Sequence, residues 1–243
     1  MARKARMRSS SDTYHVMLRG VNRNQIFFEE EDFDQMIKVL GRCRKMSNYE
    51  LLAYCLMGNH LHLLMRIRQE PMSTVFRRIG DSYVYWYNQK YERCGPLFQG
   101  RYKSEPVEDE SYLLQVWRYI LRNPVRAGIC ERPEDYTYSS AREYLYNKNG
   151  ITDTGLIRGM LNEKLSDFLS EDDSAQIRRD TDYRPRLTER EAIQHIQEDP
   201  VPSDSEKELL TAWVKHQVKS GISIRQLSRL SGITKKRIER MLK

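Results

Sequence analysis

The run YELLAYCLMGNHLHLLMRI, residues 49–67, places the tightest constraint on what this chain can fold into. Two apolar stretches, YELLAYCLM and HLHLLMRI, meet at a Gly-Asn pair, which is the pattern of a β-hairpin. The second stretch reads as a buried strand with two histidines set into it. Alternation puts Leu61, Leu63, Met65 and Ile67 on one side, toward a core. It puts His60 and His62 together on the other, with Cα atoms roughly 6–7 Å apart. Two imidazoles at that separation can share one divalent metal if a third ligand arrives from elsewhere. They equally suit the wet face of a half-exposed sheet, and spacing alone does not decide between these readings.

The rest of the first 150 residues supplies partners for the hairpin. DTYHVMLRGVNR reads as a first strand, with His15, Met17 and Arg19 on one face and Tyr14, Val16 and Leu18 on the other. EEEDFDQMIKVLGRCRKM has helical apolar spacing at Phe33, Met36, Ile37 and Leu40, with acidic residues in its first turn. Pro71 opens a long helix that carries Tyr83, Tyr85, Trp86, Tyr87 and Tyr91 and stops near Gly95-Pro96. Aromatic residues at that spacing are those of a packed face, although exposed ones can stack bases. LFQGRYKSEPV is a short strand or extended loop bearing Arg101 and Lys103. A last helix starts at Asp109 or Ser111 and is interrupted by Pro124. Strand, helix, two strands, helix, strand, helix is the order of an α+β domain, a ferredoxin-like antiparallel sheet with helices on one face.

The 243 residues carry a formal net charge of +7, which points toward a polyanion and, for a soluble protein, to nucleic acid first. No apolar run reaches the ~20 residues of a membrane span. The basic amino terminus lacks the apolar stretch of a signal peptide, so the expected location is the cytoplasm, with no membrane partner. Cys43, Cys55, Cys94 and Cys130 are scattered without zinc-finger spacing and read as core or incidental residues. The expected organisation is a basic tail over 1–11, a main domain over 12–148, a charged and partly helical connection over 149–200, and a terminal module over 201–243.

That module has its own pattern. In SIRQLSRLSGITKKRIERMLK, Leu227, Ile233, Ile238 and Met241 fall where two short helices would pack, with Ser228 at the crossing and Gly232 at the turn. Thr234 would start the second helix of a helix-turn-helix, and Lys235, Lys236, Arg237 and Arg240 would face DNA. From Val201 onward ten Lys and Arg residues stand against four acidic ones. An amphipathic terminal hairpin without a DNA role shares some of these features, but not the basic second helix.

In SYLLQVWRYILRNPVRAG, Leu113, Val116, Trp117 and Ile120 form one face, while Gln115, Tyr119 and Asn123 make a polar stripe at i, i+4, i+8. A tyrosine with an amide one turn later can present a hydroxyl nucleophile and a neutral ligand to the same point. Spacing does not choose Tyr119 over Tyr112.

Taken together, YHVMLRGVNRNQIFFEEEDF, CLMGNHLHLLM and FQGRYKSEPVEDESYLLQVWRYILRNPVRAGI resemble the REP-associated tyrosine transposases. Those are insertion-sequence single-tyrosine transposases of the HUH endonuclease superfamily. The resemblance runs from about residue 12 to about 145 in the family's order and spacing. It implies that His60 and His62 hold Mg²⁺ or Mn²⁺, that Tyr119 is the nucleophile, and that Asn123 is the third metal ligand. Gly58 stands where many relatives carry proline before Asn-His, which alters the turn and not the ligands. The implied reaction is nicking and joining of single-stranded, hairpin-forming DNA through a 5′-phosphotyrosine, by a monomer or a homodimer. Arg101, Lys103, Arg122 and Arg126 are the expected phosphate contacts of this domain. The competing reading is a DNA-binding regulator that keeps the domain as a scaffold. A small-molecule metallohydrolase fits less well, because only His15, His195 and His216 remain as further histidines.

Overall fold

A computed structural model of the chain describes residues 8–171, 189–203, 207–222 and 224–242. The chain divides into two compact units, Met1–Arg179 and Asp180–Lys243. In unit 1 the elements are β1 (Thr13–Arg19), α1 (Glu30–Ser47), β2 (Glu50–Met57), β3 (His60–Arg66), α2 (Met72–Lys90), β4 (Lys103–Pro106), α3 (Glu110–Leu121) and α4 (Asn123–Arg126). Three short helices follow: α5 (Ala141–Leu145), α6 (Gly155–Leu161) and α7 (Leu165–Ser170).

The strands form one antiparallel sheet in the order β2-β3-β1-β4. The hairpin partner β3 therefore lies between β1 and β2, the arrangement expected of a split βαβ unit. An irregularity in β2 between Leu51 and Ala53 brings Leu51 and Tyr54 to the same face, so both enter the main core. There they join Val16, Leu18, Leu61, Leu63 and Met65 under residues of α1 and α2 such as Met36, Leu40, Phe76 and Tyr83. Of the α2 aromatics, Tyr83 and Tyr87 are core, whereas Tyr85 is exposed.

The expectation of helices on one face holds for α1 and α2 and fails for α3. α3 crosses the opposite face, and the ring of Tyr119 meets those of His15 and His62 there. The reason is that this face is also apolar: Met17, Ala53, Cys55, Met57 and Leu64 lie on it, and all are buried. A sheet with two apolar faces requires two covers. The free edge of β2 is covered as well. Leu56 N donates to Tyr138 O, Ser140 N to Tyr54 O and Asp153 N to Leu51 O.

Residues 1–7 of the expected basic tail lie outside the described residues, and its end is anchored. Ser9 N donates to the Tyr14 hydroxyl at 2.9 Å, and Ser10 Oγ to Glu108 at 2.6 Å. The expected connection over 149–200 is not one segment. Part of it falls in 172–188, outside the described residues. α6 and α7 belong to unit 1, while α8 (Glu189–Glu198) belongs to unit 2 with α9 (Lys207–Lys219), α10 (Ile224–Ser231) and α11 (Lys235–Met241). The unit 2 core holds Leu227, Ile233 and Ile238 as expected, and Ala192, Leu210, Trp213 and Val214 besides. It is a four-helix unit among the described residues, not a helix pair. No described helix is long and apolar enough to cross a membrane.

One buried carboxylate ties the two helices of the first layer together. Asp32 Oδ2, at the start of α1, accepts from Phe28 N (2.6 Å), Glu29 N (3.0 Å) and the Tyr91 hydroxyl (2.7 Å). Its Oδ1 accepts from Lys90 Nζ at the end of α2, at 2.8 Å. Lys90 Nζ also pairs with Glu29 and Glu31, at 3.0 and 2.8 Å, so Asp32→Ala does not leave that charge alone. It does leave the Phe28 and Glu29 N–H groups and the Tyr91 hydroxyl without their acceptor, at about 1–3 kcal/mol for a buried group left unsatisfied. Asp32→Ala is expected to lower the unfolding free energy by about 2–4 kcal/mol in a urea titration; a loss below about 1 kcal/mol would contradict this role.

Candidate active site

The register of the sheet sets the site. On the face under α3, β1 pairs Arg19 with His60, Met17 with His62 and His15 with Leu64. On its other side β1 pairs Met17 with Lys103 and His15 with Glu105. His60, His62, His15, Arg19 and Lys103 thus share one face. The two strand histidines are not on a wet surface: His60 is 2% exposed and His62 1%.

Each imidazole has a defined neighbour. His60 Nδ1 lies 2.7 Å from Asn59 Oδ1, which places the ring proton on Nδ1 and the lone pair on Nε2. His62 Nδ1 lies 3.0 Å from His15 Nε2. With the proton of that bond on His62, its Nε2 carries a lone pair. That atom is buried with no hydrogen-bond partner among the described residues. The His60 and His62 ring centroids are 4.9 Å apart. A buried imidazole nitrogen left without a donor beside a second imidazole is the donor set a divalent metal would use. The residues present therefore fit the expected cation, although no group of three His, Cys, Asp or Glu side chains among the described residues completes a metal site.

The two tyrosines that spacing leaves open have different surroundings. Asp109 caps α3 by accepting from Tyr112 N at 2.8 Å, and the Tyr112 hydroxyl donates to Glu105 at 2.9 Å. Tyr119, two turns on and 3% exposed, sets its ring edge 5.7 Å from His62 and 5.8 Å from His15, centroid to centroid. The Arg126 guanidinium lies over the Tyr119 ring at 5.1 Å. α3 ends at Leu121, and Pro124 sits in the first turn of α4. Asn123 Nδ2 donates to the Tyr119 carbonyl at 2.9 Å, so the half-buried amide is held beside the tyrosine by the backbone. It makes no hydrogen bond to either strand histidine.

Arg122, expected as a phosphate contact, points elsewhere. Its Nη1 donates to the carbonyls of Leu169 and Ser170 at 3.1 and 2.8 Å, at the C-terminal end of α7. Arg118, one turn earlier, is buried and bonds Glu171 at 2.7 Å with its guanidinium over Phe168. These residues hold the tyrosine helix from behind. Arg101 and Lys103 are exposed, as is Arg126. In unit 2, Gly232 has φ +74 at the turn between α10 and α11, a conformation that favours glycine. Thr234 occupies the N-cap of α11 without a side-chain cap bond, and Lys235, Lys236 and Arg240 are exposed while Arg237 is half-buried.

Three contributors carried little sequence signal. Asn59 orients His60, His15 abuts His62, and Arg19 stands beside His60. The alternation of β1 placed His15 and Arg19 on one face, but only the strand order brings that face to the histidine pair.

Burial keeps all three imidazoles neutral. It lowers His15 to about 4 and, with the Arg19 charge adding to it, His60 to about 3. His62 falls well below the ordinary value of 6.5, by burial first and then the charges of His60, His15 and Arg19. The unfolded chain therefore binds protons at a higher pH than the folded one. The stability linked to these groups is complete above about 6.5 and is lost as pH falls from there toward 4. In EDTA, the unfolding free energy is expected to drop between pH 7 and pH 5 by on the order of 2 kcal/mol for His15 alone. His15→Gln should fall less steeply, and a flat wild-type profile would contradict neutral buried imidazoles.

The family described as IS200-like transposases matches residues 8–123. A Haemophilus influenzae protein that carries the name REP-associated tyrosine transposase is 32% identical over 104 residues, which is 38% of this chain and 58% of that relative. The chain thus matches little more than half the length of that relative. A solved structure, a REP-associated tyrosine transposase bound to a REP hairpin, superposes with a TM-score of 0.52 at 15% identity, covering 77% of this chain and 99% of that one. A transposase-like protein from Deinococcus radiodurans gives a TM-score of 0.36 at 20% identity, over 49% of this chain and 95% of that one.

Proposed function

We propose, from the match of residues 8–123 to the IS200-like transposase family, that the chain nicks and rejoins single-stranded DNA at hairpin-forming repeats, with Tyr119 as nucleophile. The observation that carries the proposal is the close approach of the Tyr119 ring to His62, within one chain and on the face that also holds His60.

In this reading the Tyr119 hydroxyl attacks the phosphorus of a phosphodiester in line with the leaving 3′ oxygen. The Tyr119 O–P bond forms, the P–O3′ bond breaks, the phenolic proton is lost to solvent and the 3′ oxygen takes one up. The product is a 5′-phosphotyrosine and a free 3′-OH, and the phosphoester retains the energy needed for rejoining. His60, His62 and the Asn123 amide would hold Mg²⁺ or Mn²⁺, which supplies charge stabilisation on the phosphate oxygens. Asn59 and His15 orient the two histidines. Arg126 steadies the Tyr119 ring, and Arg101 and Lys103 hold the incoming backbone. One chain contains the complete set, so a monomer suffices, and the place of action is the cytoplasm, with the DNA.

Unit 2 is the duplex-binding part, a helix-turn-helix formed by α10 and α11 in which Lys235, Lys236 and Arg240 meet phosphates. Replacing all three by alanine is expected to weaken duplex binding and to reduce the slope of log K against log salt by roughly two to three, at ~0.9 per lost phosphate contact. An unchanged slope in fluorescence anisotropy would remove this assignment.

The reaction is tested with labelled single-stranded hairpin DNA from repeats flanking the gene, in Mn²⁺, on a denaturing gel. Wild type is expected to nick it and Tyr119→Phe to bind it without nicking, at least about a thousandfold slower. Equal cleavage by both proteins would end the assignment of Tyr119. Tight binding with no cleavage by wild type would favour the regulator instead.

A further inference from the structure

We propose that Arg19 is a catalytic residue, whose guanidinium binds the non-bridging oxygens of the phosphate that Tyr119 attacks. The inference rests on the nicking reading above and adds to it the group that meets the charge of the reacting phosphate.

Three observations place Arg19 there. β1 pairs it directly with His60, and the pleat puts it on the face that carries His60, His62 and Tyr119. Its backbone is pinned from both sides, because Gln99 N donates to Arg19 O at 2.7 Å and the adjoining Gly20 N donates to Asn59 O at 2.9 Å. Gly20 has no room for a side chain, since a Cβ would fall 2.2 Å from Asn24 O. The chain therefore turns tightly at that point and Arg19 cannot slide. The histidines are buried, whereas Arg19 on the same face is half-buried and so partly accessible to a strand of DNA. Its charge is also felt by both His60 and His62.

Phosphoryl transfer spreads negative charge over the non-bridging oxygens, and a guanidinium would meet that charge beside the divalent cation that His60 and His62 would hold. A guanidinium offers those oxygens a planar fork that an ammonium does not.

The test separates this role from packing and from the parent reading. The nick made by wild type in Mn²⁺ is mapped first, and hairpin DNA is then made with either the natural phosphate or a methylphosphonate at that position. Binding is measured in EDTA with Tyr119→Phe protein, so that neither metal nor cleavage contributes. Tyr119→Phe is expected to prefer the charged diester by about tenfold. Adding Arg19→Gln should reduce the preference to less than about twofold while leaving affinity for the neutral DNA unchanged. Arg19→Lys, which retains the charge without the fork and guards against a folding defect, should keep part of the preference. In otherwise wild-type protein, Arg19→Gln should slow single-turnover nicking by about a hundredfold. Full retention of the preference in Arg19→Gln overturns the role of Arg19 alone. Absence of nicking by wild type overturns the parent reading, and this inference with it.

Discussion

The structure depends on a sheet that is apolar on both faces. β3 lies between β1 and β2, and each of its side chains enters a covered layer. Leu61 and Leu63 point beneath α1 and α2. His60 and His62 point to the side crossed by α3, where burial disfavours a charge. Desolvation of that kind is paid back only by neighbours that accept and donate, and Asn59 and His15 are those neighbours. A pair of neutral imidazoles, each held in orientation by a polar neighbour, follows from the covering of the second face.

The cover must itself be held, and it is held from outside. Arg118 and Arg122 lie on the back of α3 and grip the end of α7, while Trp117 packs edge-on against Tyr144. α3 is consequently buried on nearly all sides from Val116 to Leu121. A side chain on a helix fixed in this way needs little reorganisation to stay aligned with its neighbours, which is what the proposed role of Tyr119 would draw on. Tyr112, on the same helix, is engaged by Glu105 near the sheet edge and is turned to a structural use.

Much of this was legible beforehand, because it is written in local periodicity. The hairpin, the face of His60 and His62, the acidic start of α1 and the interruption at Pro124 all follow from spacing within a few residues. What escaped depends on contacts made far along the chain. Arg122 looks like a phosphate ligand until α7, nearly fifty residues later, supplies carbonyls for it. α8 looks like part of a charged linker because only Ala192 and Ile196 of its short apolar stripe reach the unit 2 core. Arg19 and His15 acquire meaning only from the strand order, which no alternation pattern contains. Spacing alone does not separate Tyr119 from Tyr112, which stand on one helix; the resemblance names Tyr119, and the packing of that helix sets the Tyr119 ring against His15 and His62.

Peptide mapping of the covalent complex shows whether Tyr119 forms the bond to DNA. Arg118 lies between the two tyrosines, so trypsin places Tyr112 in the peptide 104–118 and Tyr119 in the peptide 119–122. Mass spectrometry of wild-type protein trapped on hairpin DNA, after nuclease and trypsin digestion, is predicted to find a nucleotide phosphate on 119–122. A nucleotide on 104–118, or on neither peptide despite a nick, would contradict the account.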